Sequence, residues 1–130
     1  RNRAVNFDNV IAKSTHGGND IAIFLGGAGN DRFVSSGSRS EMQSSDGRTV
    51  ADNFQRNVAQ AGSGDDTAVF ESVTGEETLT GRGDSLIASG LRNVKVEKFD
   101  TVRAESDDPD ATIDIQNIDF VFEQFGSLLP

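Results

Sequence analysis

Short runs that either alternate apolar and polar residues or are rich in β-branched residues lie between clusters of Gly, Ser, Asn and Asp along the chain. Alternation with a period of two is typical of β-strands that bury one face. The turn clusters recur at short intervals, and none is long enough to suggest a linker between domains. The pattern therefore predicts a single all-β domain over residues 1–130, with strands at 4–12, 20–25, 32–35, 67–71, 77–80, 86–89, 94–103 and 112–122.

One stretch competes with this all-β prediction. Residues 48–60, RTVADNFQRNVAQ, place apolar side chains at Val50, Ala51, Phe54 and Val58, which is the best helical pattern in the chain. Its second half nevertheless aligns with segments elsewhere that have a strand pattern. No stretch of helical period carries capping residues at both ends, so β-structure remains the expectation.

The alternating segments also repeat along the chain. Three copies of a pattern about 46 residues long span approximately 6–52, 53–97 and 98–130. Equivalent apolar and acidic residues recur in the copies at a nearly constant spacing: Phe7, Phe54 and Phe99; Asp20, Asp66 and Asp110; Phe24 and Phe70; Asp31 and Glu77. One such unit cannot bury its apolar face alone, so repeated units are expected to stack and share a continuous core.

The length of the repeat predicts how the units would stack. Half of it, about 23 residues, suits a three-strand coil of a parallel β-helix, so each repeat is interpreted as two coils of a β-solenoid. Stacked strands are ~4.8 Å apart, and equivalent residues of successive repeats would then lie ~9.6 Å apart. The alternative is an antiparallel β-sandwich in which two hairpins happen to look alike.

Composition and charge exclude several classes of protein. The net charge is −9, from 21 acidic against 12 basic residues, which disfavours nucleic-acid binding and docking on an anionic membrane. No run of 18 apolar residues is present, so no transmembrane helix is expected. The chain has no Cys, which rules out disulfides, thiolate chemistry and Cys-ligated zinc.

One turn carries a motif with known chemistry. GGAGNDRFV at 26–34 fits the nonapeptide G-G-x-G-x-D-x-U-x, with Phe33 as the apolar residue. Here the chain resembles the RTX, or hemolysin-type, calcium-binding repeats of secreted bacterial proteins. The resemblance implies that Asp31 is a Ca²⁺ ligand in a turn shaped by glycines. AGSGDDTAV at 61–69 and THGGNDIAI at 15–23 are weaker matches that offer Asp66 and Asp20.

The spacing of the acidic residues departs from that family. RTX repeats run in tandem every nine residues, whereas Asp20 and Asp31 are 11 apart, as are Asp66 and Glu77. The chain is more similar to the longer, degenerate Gly-Asn/Asp-Asp repeats of large bacterial extracellular proteins. Ca²⁺ needs six to eight oxygen ligands, so a site would draw on neighbouring turns of one repeat: Asp20 with Asp31, or Asp65 and Asp66 with Glu76 and Glu77. The alternative is ordinary turn chemistry, in which Asp accepts backbone N–H groups.

Other candidate residues point to no specific chemistry. Asp107, Asp108 and Asp110 around Pro109 are either a second cation site or, as we favour, a solvated loop. His16 is the only histidine, and no nucleophile-elbow motif accompanies it. The tripeptide Arg82-Gly83-Asp84 matches an integrin-binding sequence. A match of only three residues is common by chance. No spacing singles out a catalytic Arg among Arg48, Arg56, Arg82, Arg92 and Arg103.

The patterns together favour a non-catalytic structural or adhesive module. We expect a fragment of a longer, secreted or cell-surface bacterial protein, stabilised by Ca²⁺, with neighbouring repeats and a cell-surface glycan or protein as partners. The first alternative is a β-helix polysaccharide lyase or hydrolase. The second is a carbohydrate- or protein-binding β-sandwich, although the chain has no Trp or Tyr for a sugar-binding platform.

Overall fold

The computed structural model describes residues 9–13, 20–27, 29–44, 47–90, 92–106, 108 and 110–126. These residues form thirteen β-strands and no helix: β1 (Asn9–Lys13), β2 (Ile21–Leu25), β3 (Arg32–Ser36), β4 (Arg39–Ser44), β5 (Gly47–Asp52), β6 (Arg56–Gln60), β7 (Thr67–Glu71), β8 (Thr78–Gly83), β9 (Ser85–Ser89), β10 (Val94–Glu97), β11 (Thr101–Ser106), β12 (Thr112–Ile118) and β13 (Val121–Gly126). The all-β prediction is confirmed.

The strands pair in two mixed sheets, neither of which closes on itself. The first has the order β1-β5-β4-β3-β7-β11-β13 and the second the order β12-β8-β9-β10-β6-β2. Pairing is antiparallel only where β4 and β9 meet their neighbours, among the strands that the structure describes. The remaining ladders are parallel, which differs from the pairing of an antiparallel sandwich.

The parallel ladders have a different spacing from the predicted repeat. Ile21 pairs with Arg56 and Arg32 with Thr67, both 35 residues apart. Thr67 with Thr101, and Thr78 with Thr112, are 34 apart. Residues 46 apart are therefore not strand partners: Phe24 lies opposite Ala59, and Phe70 lies opposite Ser35. The expectation of two coils per 46 residues does not match this register.

Antiparallel strands inserted between the parallel ones explain why the chain lacks one even period. β4 connects β3 to β5, and β9 connects β8 to β10. The helical candidate 48–60 is divided between β5 and β6 instead. The predicted strand at 94–103 is broken at Lys98 (φ 64°), and the one at 112–122 has an irregularity at Asn117 (φ 51°) and is broken at residues 119–120.

The core consists of the inward-facing apolar residues of both sheets. Phe33, Phe70, Leu79 and Leu86 have no exposed surface. The ring of Phe33 packs edge-on against Phe24 at 5.3 Å between centroids and lies 6.4 Å from Phe99. The expected burial of Phe24, Phe54, Phe70 and Phe99 is confirmed, whereas Phe7 lies outside the described residues.

Candidate functional site

The turn that carries the GGAGND motif stacks directly on the turn at 61–66. Gly26 donates its backbone N–H to the carbonyl of Gln60 at 2.8 Å, and Thr67 donates to the carbonyl of Asp31 at 3.0 Å. A Cβ atom on Gly62 or Gly64 would collide with the backbone of the turn at 26–31. The glycines of the motif thus allow two polypeptide turns to approach more closely than any side chain permits.

The acidic residues of these turns form a ladder of hydrogen bonds, which we call the aspartate ladder: Asp31, Asp66 and Asp100. The N–H of Asp31 donates to Oδ1 of Asp66 at 2.7 Å, and the N–H of Asp66 donates to Oδ2 of Asp100 at 2.8 Å. Beside it, Asp65 donates its N–H to Oδ1 of Asn30 at 2.9 Å. Each of these side chains satisfies a backbone group of the adjacent turn, as Asp and Asn side chains commonly do.

The centre of the ladder is an electrostatically costly position. Asp66 is only 1% exposed, and its Oδ2 atom has no hydrogen-bond partner among the residues that the structure describes. Burial raises the pKa of Asp66 above its ordinary value, the hydrogen bond from Asp31 lowers it, and the nearby charges of Asp100 and Asp65 raise it further. Desolvation and like charges both disfavour the ionised carboxylate, so ionisation of Asp66 costs more here than at an exposed position.

The structure brings together only part of the predicted calcium ligand set. Asp31 and Asp66 are adjacent and buried, and Asp65 lies beside them but is exposed. Asp20 precedes β2 and Asp31 follows it, so the two lie at opposite ends of that strand. Glu77 is separated from Asp66 by β7 in the same way. A strand of five residues spans about 17 Å, so neither predicted grouping with Asp20 or Glu77 forms.

Glu77 belongs instead to a buried ion pair with Arg92. Nε of Arg92 donates to Oε2 of Glu77 at 2.5 Å, and the two side chains are 5% and 1% exposed. The other carboxylate oxygen accepts the backbone N–H of Thr74 at 3.0 Å. These bonds occupy both oxygens of the carboxylate, so Glu77 acts as the counter-ion of Arg92.

Arg92 joins three parts of the chain through its remaining donors. Nη1 donates to the backbone carbonyl and the hydroxyl of Ser35 at 2.9 and 3.1 Å. Nη2 donates to the carbonyls of Glu71 and Ser72 and to the carboxylate of Glu77. The guanidinium therefore ties β3 to the end of β7. Sequence reasoning had no means to select Arg92 from the other arginines, because its partners come from distant turns.

A smaller version of the ladder occurs at the predicted acidic patch. Asp108 accepts the N–H of Gly75 at 2.6 Å and that of Asp110 at 2.9 Å. The bond from Asp110, and then that from Gly75, lowers the pKa of Asp108. The patch thus acts as a turn that caps backbone groups; Asp107 and Pro109 lie outside the described residues, as does His16.

The described residues, those of the aspartate ladder included, contain no group of three or more His, Cys, Asp or Glu placed to hold a metal ion. In the same residues no helix is long and apolar enough to cross a membrane.

Arg82 of the Arg-Gly-Asp tripeptide donates a hydrogen bond to Asp114 on the neighbouring strand, with 2.9 Å between Nη2 and Oδ2.

Comparison with protein-family models, with curated proteins and with solved structures finds no match to this chain.

Proposed function

We propose that this chain is a non-catalytic structural module of the β-solenoid type, which stacks on neighbouring units. The observation that carries the proposal is the parallel register, in which strands 34 or 35 residues apart lie side by side and their turns stack in the same order. Such packing lets each coil bury the apolar face of the next. The two buried charges that meet in the interior, Glu77 and Arg92, neutralise each other, which favours a structural role over the enzymatic alternative.

The ends of the two sheets supply the surfaces for stacking. Among the described strands, all except β4 and β9 run in the same direction as the other members of their sheet. Among the described strands β13 lies at the edge of its sheet, and its Val121 and Phe125 are 58% and 40% exposed. An open parallel edge with apolar side chains is a template for a further strand, which here would come from a neighbouring repeat or a second copy.

A proline in β13 tests whether this edge is used. Val121 donates its N–H to the carbonyl of Asp100 at 2.9 Å, so alternation along the strand turns the N–H of Gln124 towards the open edge. Proline is tolerated at such a position but cannot donate to an added strand. We expect Gln124→Pro to keep its far-UV circular dichroism spectrum and to need about tenfold higher concentration to associate in sedimentation velocity runs.

The matched control is Ile87→Ser, which removes an exposed apolar side chain from β9, an interior strand of the second sheet. This variant should associate like the unaltered protein. Association that is lost with Ile87→Ser and retained with Gln124→Pro would replace edge pairing with an apolar patch on the sheet face.

The net charge of −9 and the resemblance to bacterial extracellular repeats support a place outside the cell or at its surface.

A second proposal is that Ca²⁺ stabilises the aspartate ladder. It is supported by Oδ2 of Asp66, a buried oxygen without a hydrogen bond among the described residues, in a turn whose other carboxylate oxygen accepts the backbone N–H of the buried Asp31. Ca²⁺ prefers carboxylate and carbonyl oxygens, and the closely stacked turns supply both.

Thermal unfolding in millimolar Ca²⁺ and in EDTA tests the calcium proposal. Ca²⁺ that binds only the folded state should raise the melting temperature. Asp66→Asn should abolish the rise, while Asp84→Asn, which changes an exposed Asp in the turn between β8 and β9, should retain it. Identical melting temperatures in the two solutions would contradict calcium binding.

A further inference from the structure

The two ends of the strand stack differ in charge. Residues 9–60, which contain β1 to β6, hold five acidic residues and five Lys or Arg residues. Residues 100–126, which contain β11, β12 and β13, hold eight acidic residues and one Arg. The strand order puts the two groups at opposite ends of both sheets. We call them the neutral end, where β1 and β2 are the outermost described strands, and the acidic end, where β12 and β13 are.

Exposed apolar side chains are concentrated on the outermost strands. The described residues include four large apolar residues that are exposed. Leu25 lies on β2 at the neutral end, and Val121 and Phe125 lie on β13 at the acidic end. The fourth, Ile87, lies on β9 in the interior of its sheet. Both ends therefore present apolar surface that a neighbouring molecule can remove from water.

The hydrophobic core is also incompletely covered at the acidic end. On β7, β9 and β11 the apolar side chains that face the core are buried. On β12 and β13 the apolar side chains that pack against the same core stay partly exposed: Ile113, Ile115, Ile118 and Phe122. In stacked folds the next unit buries such a face, so the acidic end is suited to receive one.

The direction of the strands determines how a second copy can continue both sheets. In each sheet the outermost strands at the two ends run in the same direction. A copy in the same orientation can add its β1 beside β13 and its β2 beside β12, and both new pairs are then parallel. A copy turned end over end brings two acidic ends together, and like charges across an interface cost binding free energy.

We propose that this chain assembles head to tail, with the acidic end of one copy docked on the neutral end of the next. The inference rests on the proposed stacking role and names the partner, which is a second copy of the chain. The contact joins two different surfaces, so each copy that is added leaves one end of each kind free. Repeated addition then gives a filament rather than a closed dimer.

Two proline variants, one at each end, test the orientation. Gly26 donates its N–H to the carbonyl of Gln60 on β6, so alternation along β2 turns the N–H of Ile23 towards the edge away from β6. Ile23→Pro therefore blocks the neutral end as Gln124→Pro blocks the acidic end. In sedimentation velocity runs each variant alone should need about tenfold higher concentration to associate. An equimolar mixture should associate like the unaltered protein but stop at a 1:1 heterodimer.

The matched controls are Ile23→Thr and Gln124→Ala, which change the same side chains but keep the backbone N–H groups. Both should assemble like the unaltered protein. Leu25→Pro removes another N–H from the same edge of β2. It takes the place of Ile23→Pro if the far-UV circular dichroism spectrum of that variant differs from the spectrum of the unaltered protein.

The proposal is overturned if Ile23→Pro alone dimerises at the concentrations of the unaltered protein, because acidic ends then join each other. Dimerisation of Gln124→Pro alone, through neutral ends, also overturns it. An unaltered protein that stops at a dimer would overturn head-to-tail assembly and leave the stacking role intact, and one that stays monomeric would exclude a second copy as the partner. Equal association of the unaltered protein and both proline variants would contradict the strand pairing on which the stacking role itself depends.

Discussion

Two buried carboxylates, Glu77 and Asp66, have equal exposure and opposite surroundings. Glu77 faces the guanidinium of Arg92 and accepts a backbone N–H with its second oxygen. Asp66 accepts one N–H, has an oxygen without a partner and lies near the charges of Asp100 and Asp65. Similar burial thus yields a stable ion pair in one turn and a carboxylate with a raised pKa in another.

The comparison shows two solutions to one structural problem, which is how to join polypeptide turns that meet in the interior. At Glu77 the chain supplies its own cation, and Arg92 binds the backbone carbonyls of Ser35, Glu71 and Ser72. At Asp66 the carboxylates bind backbone N–H groups directly, and glycines bring the turns into contact. The first solution depends on one side chain, whereas the second is spread over several residues.

The largest expected loss of stability comes from removing Arg92, the cation of the buried ion pair. Arg92→Met leaves the Glu77 carboxylate buried without its partner, which typically destabilises a protein by about 3–5 kcal/mol. We expect a loss of that size in the free energy of unfolding measured with urea. Arg92→Met combined with Glu77→Gln should recover part of the loss, because the unpaired charge is then absent. An Arg92→Met variant as stable as the unaltered protein would show that the ion pair is not the connection between these turns.

An intermediate effect is expected in the stacked glycine turns. Gly64 has φ 102°, and a Cβ there would collide with the backbone of Gly29. Gly37 also has a positive φ, 58°, but nothing lies within 4 Å of the added atom. Both alanine variants carry the backbone strain of a left-handed conformation, about 1–3 kcal/mol. Only Gly64→Ala adds the collision, so it should unfold at a lower urea concentration than Gly37→Ala; equal midpoints would argue against close stacking of the turns.

The smallest expected change in stability is the pH-dependent contribution of Asp66 to the free energy of unfolding. Because the folded state raises its pKa, the group contributes stability that is fully present below the unfolded-state pKa and is lost as pH rises through the folded-state pKa. In EDTA, Asp66→Asn should therefore equal or slightly exceed the unaltered protein in stability at pH 7 and lose that advantage in acid. Urea unfolding at a series of pH values measures the difference. An advantage that grows as the pH falls would mean that Asp66 is stabilised as a carboxylate.

Many strand positions could be predicted because the residue types of a strand are a local property. The segments 21–25, 67–71 and 86–89 each concentrate apolar residues, with β-branched side chains among them, within five positions. β4 escaped the prediction because Ser, Arg, Glu and Gln fill five of its six positions, and β5 and β6 escaped it because residues 48–60 carry a helical pattern of apolar side chains. Their strand pairing is supported by neighbouring strands rather than by their own hydrophobicity.

The repeat spacing and the site were harder to predict for a common reason. Every Gly-Asp turn resembles every other, so a shift of 46 residues aligns Asp20 with Asp66 nearly as well as a shift of 35 aligns Asp31 with Asp66. The two nonapeptide matches, GGAGNDRFV and AGSGDDTAV, start 35 residues apart and were the signal for the observed register. No comparable signal existed for Arg92, whose partners are 15 to 57 residues away.

The parallel register also determines when this chain can fold as it is synthesised. The antiparallel pairs β3–β4 and β8–β9 join neighbouring segments, so they can form as soon as they leave the ribosome. β3 meets its parallel partner only after about 35 more residues have been added, which takes roughly two to seven seconds at ordinary rates of translation. During that interval the edge of β3 is open to other chains. β2 waits equally long for β6, so the first parts of each sheet are synthesised well before the strands that cover their edges.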